Sequence, residues 1–261
     1  MSRLGLIVLI VPVMALALFA CGSSSESSED SSGAPEASGA DVAIFPDEVI
    51  EERIREKLKQ PDGPIAIADL AQLTEFGVAL DLYVTDLSGL EHLVNLNEFD
   101  MTQNKTSDIS TLSSLTTLTK LNLTQNDIVD VSALAPLVNL TFLWAQDNEI
   151  VDISSLASLT KLTELNLQKN HITDISALAN MTELSILNLT SNNIVDISPL
   201  ALLPNLTLAE LSQNDITDLS PLLDTPLGEG TRIALWGAPL DANSVDVVIP
   251  QLEAKGIRID H

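Results

Sequence analysis

Residues 165–186 read LNLQKNHITDISALANMTELSI, and residues 187–208 read LNLTSNNIVDISPLALLPNLTL. Laid one under the other without a gap, they share leucines at 165/187 and 167/189, asparagine at 170/192, and Asp-Ile-Ser at 174–176/196–198. The period extends in both directions. Asparagine stands at Asn104, Asn126, Asn148, Asn170, Asn192 and Asn214, at one constant spacing. Four positions later comes Asp108, Asp130, Asp152, Asp174, Asp196 or Asp218, and two beyond that a serine, from Ser110 to Ser220. Ahead of the asparagines stand Phe99/Met101, Leu121/Leu123, Leu143/Ala145, Leu165/Leu167, Leu187/Leu189 and Ala209/Leu211. Six copies in unbroken register mark a stacked solenoid, in which no unit buries its apolar face alone.

Each residue type has a physical reason. In a Leu-x-Leu segment successive side chains alternate between faces, so the leucines point inward and the x positions outward. Short parallel strands from successive coils then pair at about 4.8 Å. The asparagine falls where the chain leaves the strand, where its amide can satisfy backbone groups of its own coil and the next. Serine in Asp-Ile-Ser is suited to cap the turn that follows. Leucines such as Leu134, Leu137 and Leu140 fill the far side, and a unit this short leaves room there for a 3₁₀ turn rather than a long helix. This unit resembles the leucine-rich repeat, in the internalin-like subclass whose unit reads L-x-x-L-x-L-x-x-N-x-I-x-D-I-S-x-L-x-x-L. The resemblance implies an α/β horseshoe with a parallel concave β-sheet, short 3₁₀ turns on the convex side and a helical N-terminal cap.

Both ends carry cap signals. Asp47 precedes an amphipathic stretch, Glu48 to Lys59, with Ile50, Ile54 and Leu58 on one face and a Pro61–Pro64 stop. A further helical turn is expected near Ala68–Leu73, then a degenerate repeat at Leu80–Leu96 in which Asp86 keeps its place but Leu82 replaces asparagine. At the other end the register slips by two, so Ala238 occupies the asparagine position. Two helical turns, Asn243–Ile249 and Pro250–Lys255, closed by Gly256, and a final Ile257–Ile259 strand are expected. The domain then covers 42–261, with a cap at 42–79, repeats at 80–236 and a C-terminal cap at 237–261.

The stretch ahead of it, residues 1–41, has another character. Arg3 is followed by an apolar and small-residue run, Leu4 to Ala20, broken by Pro12. This is a signal-peptide pattern, short of the roughly 20 residues of a spanning helix. Leu18-Phe19-Ala20-Cys21 resembles the bacterial lipobox, which implies cleavage after residue 20 and diacylation of Cys21. An ordinary cleaved signal with a chance cysteine is the alternative. Gly22, where inner-membrane retention uses aspartate, leads us to expect the outer membrane or cell surface. Residues 22–41 hold no large apolar side chain and read as a disordered tether, with a reach on the order of 25 Å.

Composition narrows the partners. With 37 acidic and 12 basic residues the formal charge is −25, which excludes a nucleic-acid surface, since phosphate binding needs a cationic excess. One cysteine excludes an internal disulfide framework. The outward strand positions form three rows. The first is Glu98, Lys120, Phe142, Glu164, Ile186 and Leu208. The second is Asp100, Asn122, Trp144, Asn166, Asn188 and Glu210. The third runs from Thr102 to Ser212, and Arg232 and Trp236 are outward candidates at the last repeat. Exposed aromatic residues with arginine are usual anchors of protein interfaces. Phe142, Trp144, Asn122, Asn166, Ile186, Asn188, Leu208, Glu210, Arg232 and Trp236 are therefore the candidate ligand-binding set. A protein or peptide ligand is expected, a glycan is a variant, and a monomer is expected. The alternative is that the rings pack on their neighbours and the chain is a structural envelope spacer.

The stacked aspartates invite calcium, but each could equally accept backbone N–H groups in its turn, and no D-x-D-x-D-G spacing occurs. Arg53, Arg55, Lys57 and Lys59 share no helix face and read as solvation. His92, His171 and His261 belong to no H-E-x-x-H, and no G-x-S-x-G, P-loop or GxGxxG is present. We expect neither an enzyme nor a cofactor.

Overall fold

The computed structural model describes residues 42–78 and 83–261. The expected signal, lipidated Cys21 and tether lie outside them, as does Leu82. Leucine-x-leucine alternation becomes nine parallel strands in strict sequence order. They are β3 (Glu75–Gly77), β4 (Glu98–Asp100), β5 (Lys120–Asn122), β6 (Phe142–Trp144), β7 (Glu164–Asn166), β8 (Ile186–Asn188), β9 (Leu208–Glu210), β10 (Arg232–Ala234) and β11 (Arg258–Asp260). Pairing keeps the repeat register from β4 to β9, for instance Leu143 opposite Leu165. The offset lengthens by two positions at β10, where Ile233 faces Ala209. Opposite the sheet, seven 3₁₀ turns from Leu90–His92 to Ser220–Asp224 close the coils. This is the leucine-rich repeat horseshoe expected from the repeat.

The interior is stacked columns of one residue per coil. Leu121, Leu143, Leu165, Leu187 and Ala209 form one such column, and Leu112, Leu134, Leu156, Leu178, Leu200 and Leu222 another, all at 0–1% exposure. Buried polar groups in the columns are satisfied, with no buried side-chain N or O left without a partner among the described residues.

Each ladder asparagine is buried and bonded four ways or nearly so. Asn148 Oδ1 accepts from Ile128 N at 3.1 Å, and its Nδ2 donates to the carbonyls of Leu123, Ala145 and Gln146 at 2.9, 3.2 and 3.3 Å. The neighbouring coil it serves is the preceding one, not the following one expected from the sequence. A second ladder emerges only in the structure. Thr141, Thr163, Ser185 and Thr207 hydroxyls each donate to the equivalent carbonyl one repeat earlier, at 2.9–3.0 Å. Just before each asparagine the chain turns through the left-handed region, as at Gln103, Gln125, Asp147, Lys169, Ser191 and Gln213 (φ 53 to 58°).

The turn after the asparagine also differs in detail from expectation. Serine does not cap it with its side chain. Instead the aspartate two positions earlier accepts from the serine backbone N–H, as in Asp152 Oδ1 with Ser154 N at 2.7 Å and Asp174 with Ser176 at 2.8 Å. The short carboxylate does this because it reaches an N–H two positions on without disturbing the turn.

At the N-terminus, α1 (Glu48–Leu58) is capped by Asp47, whose Oδ1 accepts from Val49 and Ile50 N. Ile50 and Ile54 are fully buried, and Lys59 closes the helix in a left-handed conformation. Its cations do more than solvate: Arg55 pairs with Glu51 at 2.8 Å and donates to Gly63 O at 3.0 Å, and Arg53 pairs with Glu56 at 2.9 Å. The expected second turn is α2 (Ile67–Leu70). A small antiparallel pair, β1 (Val42–Ala43) with β2 (Ile65–Ala66), ties the cap together. The main sheet begins inside this region, earlier than the sequence suggests, with β3 (Glu75–Gly77) paired to β4 and Phe76 stacked on Phe99 at 6.1 Å. Gly89, at φ +96°, leaves room for the cap: a Cβ there would meet Phe45 Cδ1 at 2.5 Å.

At the C-terminus the two expected turns are continuous, a π-type turn over Ser244–Val248 running into α3 (Ile249–Ala254). Ser244 is fully buried, and its hydroxyl accepts from Leu219 N at 2.9 Å and donates to Thr217 O at 3.1 Å. It closes a coil that has no asparagine to follow it. β11 finishes the sheet, as expected.

Candidate functional site

Strand register places the outward side chains in rows across the sheet. In the first, Glu75, Glu98, Lys120, Phe142, Glu164, Ile186, Leu208, Arg232 and Arg258 are successive partners. In the second, Asp100, Asn122, Trp144, Asn166, Asn188, Glu210, Ala234 and Asp260 follow one another. Trp236 belongs to the third row, where its backbone N–H donates to Ser212 Oγ at 3.2 Å. That row lies lower than expected, with Thr124 and Ser212 buried.

Aromatic side chains are scarce in this chain, 3% of its residues, so where each one goes is informative. Phe45, Phe76 and Phe99 are spent on the core of the N-terminal end. Phe142 and Trp144 instead stand on one outward face of β6, half-buried, with ring centroids 6.3 Å apart and planes at 67°. Their alternation around buried Leu143 forces them to the same side. Each has a polar neighbour on the adjoining strand. Lys120 Nζ lies 5.9 Å from the Phe142 centroid and pairs with Glu98 at 2.6 Å. Trp144 Nε1 donates to Glu164 Oε1 at 2.8 Å. The rings are thus held in place from the flanks, with their outward faces left open in part.

The remaining candidates divide into separate groups rather than one continuous patch. Ile186 (37% exposed) and half-buried Leu208 are neighbours in the first row, but Glu164 separates them from Phe142. Trp236, 56% exposed, stands four strands from Trp144, about 19 Å away at the spacing of sheet strands. The asparagines serve their own strand ends first. Asn122, Asn166 and Asn188 each accept at Oδ1 from the backbone N–H two positions on, at 3.0–3.1 Å, and Asn166 Nδ2 also donates to Gln146 Oε1.

Arg232 is fixed by its neighbours. It bonds Asp260 on β11 through Nε and lies 3.6 Å from Glu210 on β9. The hydrogen bond from Arg232 to Asp260 raises the arginine's pKa, against the opposing effect of partial burial. For Asp260 burial pushes the carboxyl up, but hydrogen bonds from Arg232 and Arg258 outweigh it and hold the group below the usual range. Arg232 therefore staples three strands before it can meet a ligand. Sequence reasoning missed this, because the separation of Arg232 from Asp260 does not fit the repeat period.

The aspartate ladder is accounted for by its turns. Hydrogen bonds from the Ser110, Ser154, Ser176 and Ser220 backbone N–H groups, aided by the hydroxyls, hold Asp108, Asp152, Asp174 and Asp218 below the usual carboxyl range. Among the described residues no three His, Cys, Asp or Glu side chains converge as metal ligands. His171 meets Glu149 Oε2 at 2.7 Å on the exposed flank.

Comparison with known proteins agrees with this geometry. Leucine-rich repeat models match residues 138–180 and 160–202 in a two-copy form and residues 114–135 in a single-copy form. Curated protein sequences give no match. Among solved structures, an internalin (inlF) from Listeria monocytogenes is 32% identical, with 84% of this chain and 72% of that one covered and a TM-score of 0.69. An internalin C2 (inlC2) from the same organism is 28% identical, with 84% and 94% covered and a TM-score of 0.71. A leucine-rich repeat protein of Leptospira interrogans is alike in fold alone, at 20% identity, 75% and 62% coverage and a TM-score of 0.59. The six-copy register, the capped parallel sheet and a relative at this identity together place the chain among the internalin-like leucine-rich repeat proteins.

Proposed function

We propose that this protein is an exported recognition module, lipid-anchored at Cys21, that binds a protein or peptide on the concave face of its sheet. One observation carries the binding site. In a chain that buries Phe45, Phe76 and Phe99, Phe142 and Trp144 are presented side by side from a rigid central strand. Half-exposed rings on a preorganised surface lose little freedom on binding, which is why such residues anchor interfaces. Ile186 and Leu208 supply a second apolar step two and three strands away.

Cross-linking capture from the native envelope tests the site, with the full chain as bait beside a Phe142→Ala/Trp144→Ala variant. Loss of two anchors should remove several kcal/mol at an interface hot spot. A partner retained by the parent and lost by a folded variant supports the reading. Anchoring is tested separately: mass spectrometry should find a diacylated Cys21 at the mature N-terminus, and Cys21→Ala should release the protein from membranes.

A second reading is a structural envelope spacer monomer. It is favoured by the flanking of both rings by Lys120 and Glu164 and by the break between the apolar groups. Capture of nothing specific, or equal capture by both baits, would select it.

A further inference from the structure

Resting on the recognition reading, we propose that the ligand is an extended, basic polypeptide segment, whose Lys or Arg side chain sits over Trp144 against Glu164. The charge of the face carries this. Among the described residues its first two strand rows hold three cations, and all are already matched: Lys120 by Glu98 at 2.6 Å, Arg232 by Asp260 and by Glu210 at 3.6 Å, and Arg258 by Asp260 at 2.9 Å. An acidic ligand would find no free cation in those rows and would approach a chain of charge −25.

A cation finds the opposite. Glu164 uses Oε1 to accept from the Trp144 indole and keeps Oε2 for a second donor. The carboxylate therefore sits at the edge of a half-exposed aromatic ring, an arrangement that takes a guanidinium or ammonium by stacking and by a charge-assisted hydrogen bond together. On the far side of β6 the equivalent place over Phe142 is taken by the protein's own Lys120, which steers the incoming cation to Trp144.

The apolar step fixes the spacing. Ile186 and Leu208 are one and two strands beyond Glu164, about 5 and 10 Å away at the spacing of sheet strands. In an extended segment, residues i and i+2 project from one face about 7 Å apart. A basic residue and an apolar residue two places away therefore match Glu164 and the Ile186/Leu208 step when the segment runs across the strands.

The test uses displayed random peptides, each about a dozen residues long so that an extended one spans the face, panned on the purified full chain and followed by affinity measurement of the selected peptides. Glu164→Gln is the informative variant, because glutamine Oε1 still accepts from the indole while the charge is gone. Selected peptides should carry Lys or Arg two places from Leu, Ile, Val or Phe. They should bind Glu164→Gln about tenfold more weakly, as loss of a hydrogen bond to a charged group implies, and Phe142→Ala/Trp144→Ala weaker still. Peptides that need the aromatic pair but lack the basic residue, or ignore Glu164→Gln, would overturn the basic-ligand proposal and leave concave-face recognition standing. No selected peptide, or peptides indifferent to both variants, would overturn it as well. In that case the envelope capture above still decides recognition on its own.

Discussion

The Trp144 indole and the Glu164 carboxylate are joined across adjacent strands by a 2.8 Å hydrogen bond, on a face where both side chains are half-buried. The bond orients the ring and satisfies its only donor. Glu164→Ala should shift Trp144 emission to longer wavelength, measured in a Trp236→Phe background so that one indole reports. Stability should fall by about 1 kcal/mol, the net worth of such a bond. An unchanged spectrum would mean the ring is held by packing alone.

Asn148 makes the strongest stability prediction. Replacing it by alanine leaves Ile128 N in the interior without a partner, while Leu123 O keeps the Asn126 amide as a donor. An orphaned buried donor costs about 1–3 kcal/mol, so Asn148→Ala should lose about 1–3 kcal/mol by urea unfolding. A loss below about 1 kcal/mol, the net worth of a single hydrogen bond, would show that the coils readjust to satisfy that N–H.

Acid should loosen the turns. Asp86, Asp108, Asp152, Asp174 and Asp218 all have carboxyl pKa values lowered in the fold, by hydrogen bonds from the serine two positions on. A lowered folded pKa adds stability that is complete above the unfolded value, near about 4, and disappears as pH falls below it. Urea midpoints should therefore hold to about pH 5 and drop below about pH 4. Substituting asparagine at 108, 152, 174 and 218, which still accepts the N–H but does not titrate, should make that drop shallower. A drop of the same size in the variant would assign acid sensitivity to other carboxylates.

Left-handed backbone at Gln125 (φ 57°) sets a steric rule. Gln125→Asn should change stability by less than about 0.5 kcal/mol, because asparagine visits this region readily. Gln125→Val should lose about 1–3 kcal/mol, since a β-branched side chain is strained there. Equal stabilities would indicate that the corner relaxes away from positive φ.

How far the molecule could be read in advance follows from what each feature depends on. Asn170, Asp174 and Leu165 repeat because every coil puts them in the same environment, so period alone revealed the strands, the turns and the inward face. Asp152 was legible as an acceptor within its own turn, and Asn104 as a turn residue, but the coil that Asn104 serves was not, because spacing does not distinguish the coil before from the coil after. β3 escaped notice because its offset from β4 breaks the period by one and its partner contact, Phe76 on Phe99, is local to the cap. On the outward face, alternation told which side Phe142, Trp144 and Arg232 would occupy. It could not tell that Arg232 would meet Asp260, or Trp144 Glu164, since those depend on rotamers and on strands distant in sequence.

The buried asparagines and the Thr/Ser hydroxyls each reach back one coil, so every interior seam is the same seam used again. Size is therefore quantised. One more whole repeat would lengthen the sheet by about 4.8 Å and orphan no donor, whereas a partial copy would misalign every column at once. The ends are different, for the Phe45–Gly89 contact and the Ser244 hydroxyl are each used once. A lineage of such chains can change its reach by whole steps in the middle while both ends stay as they are.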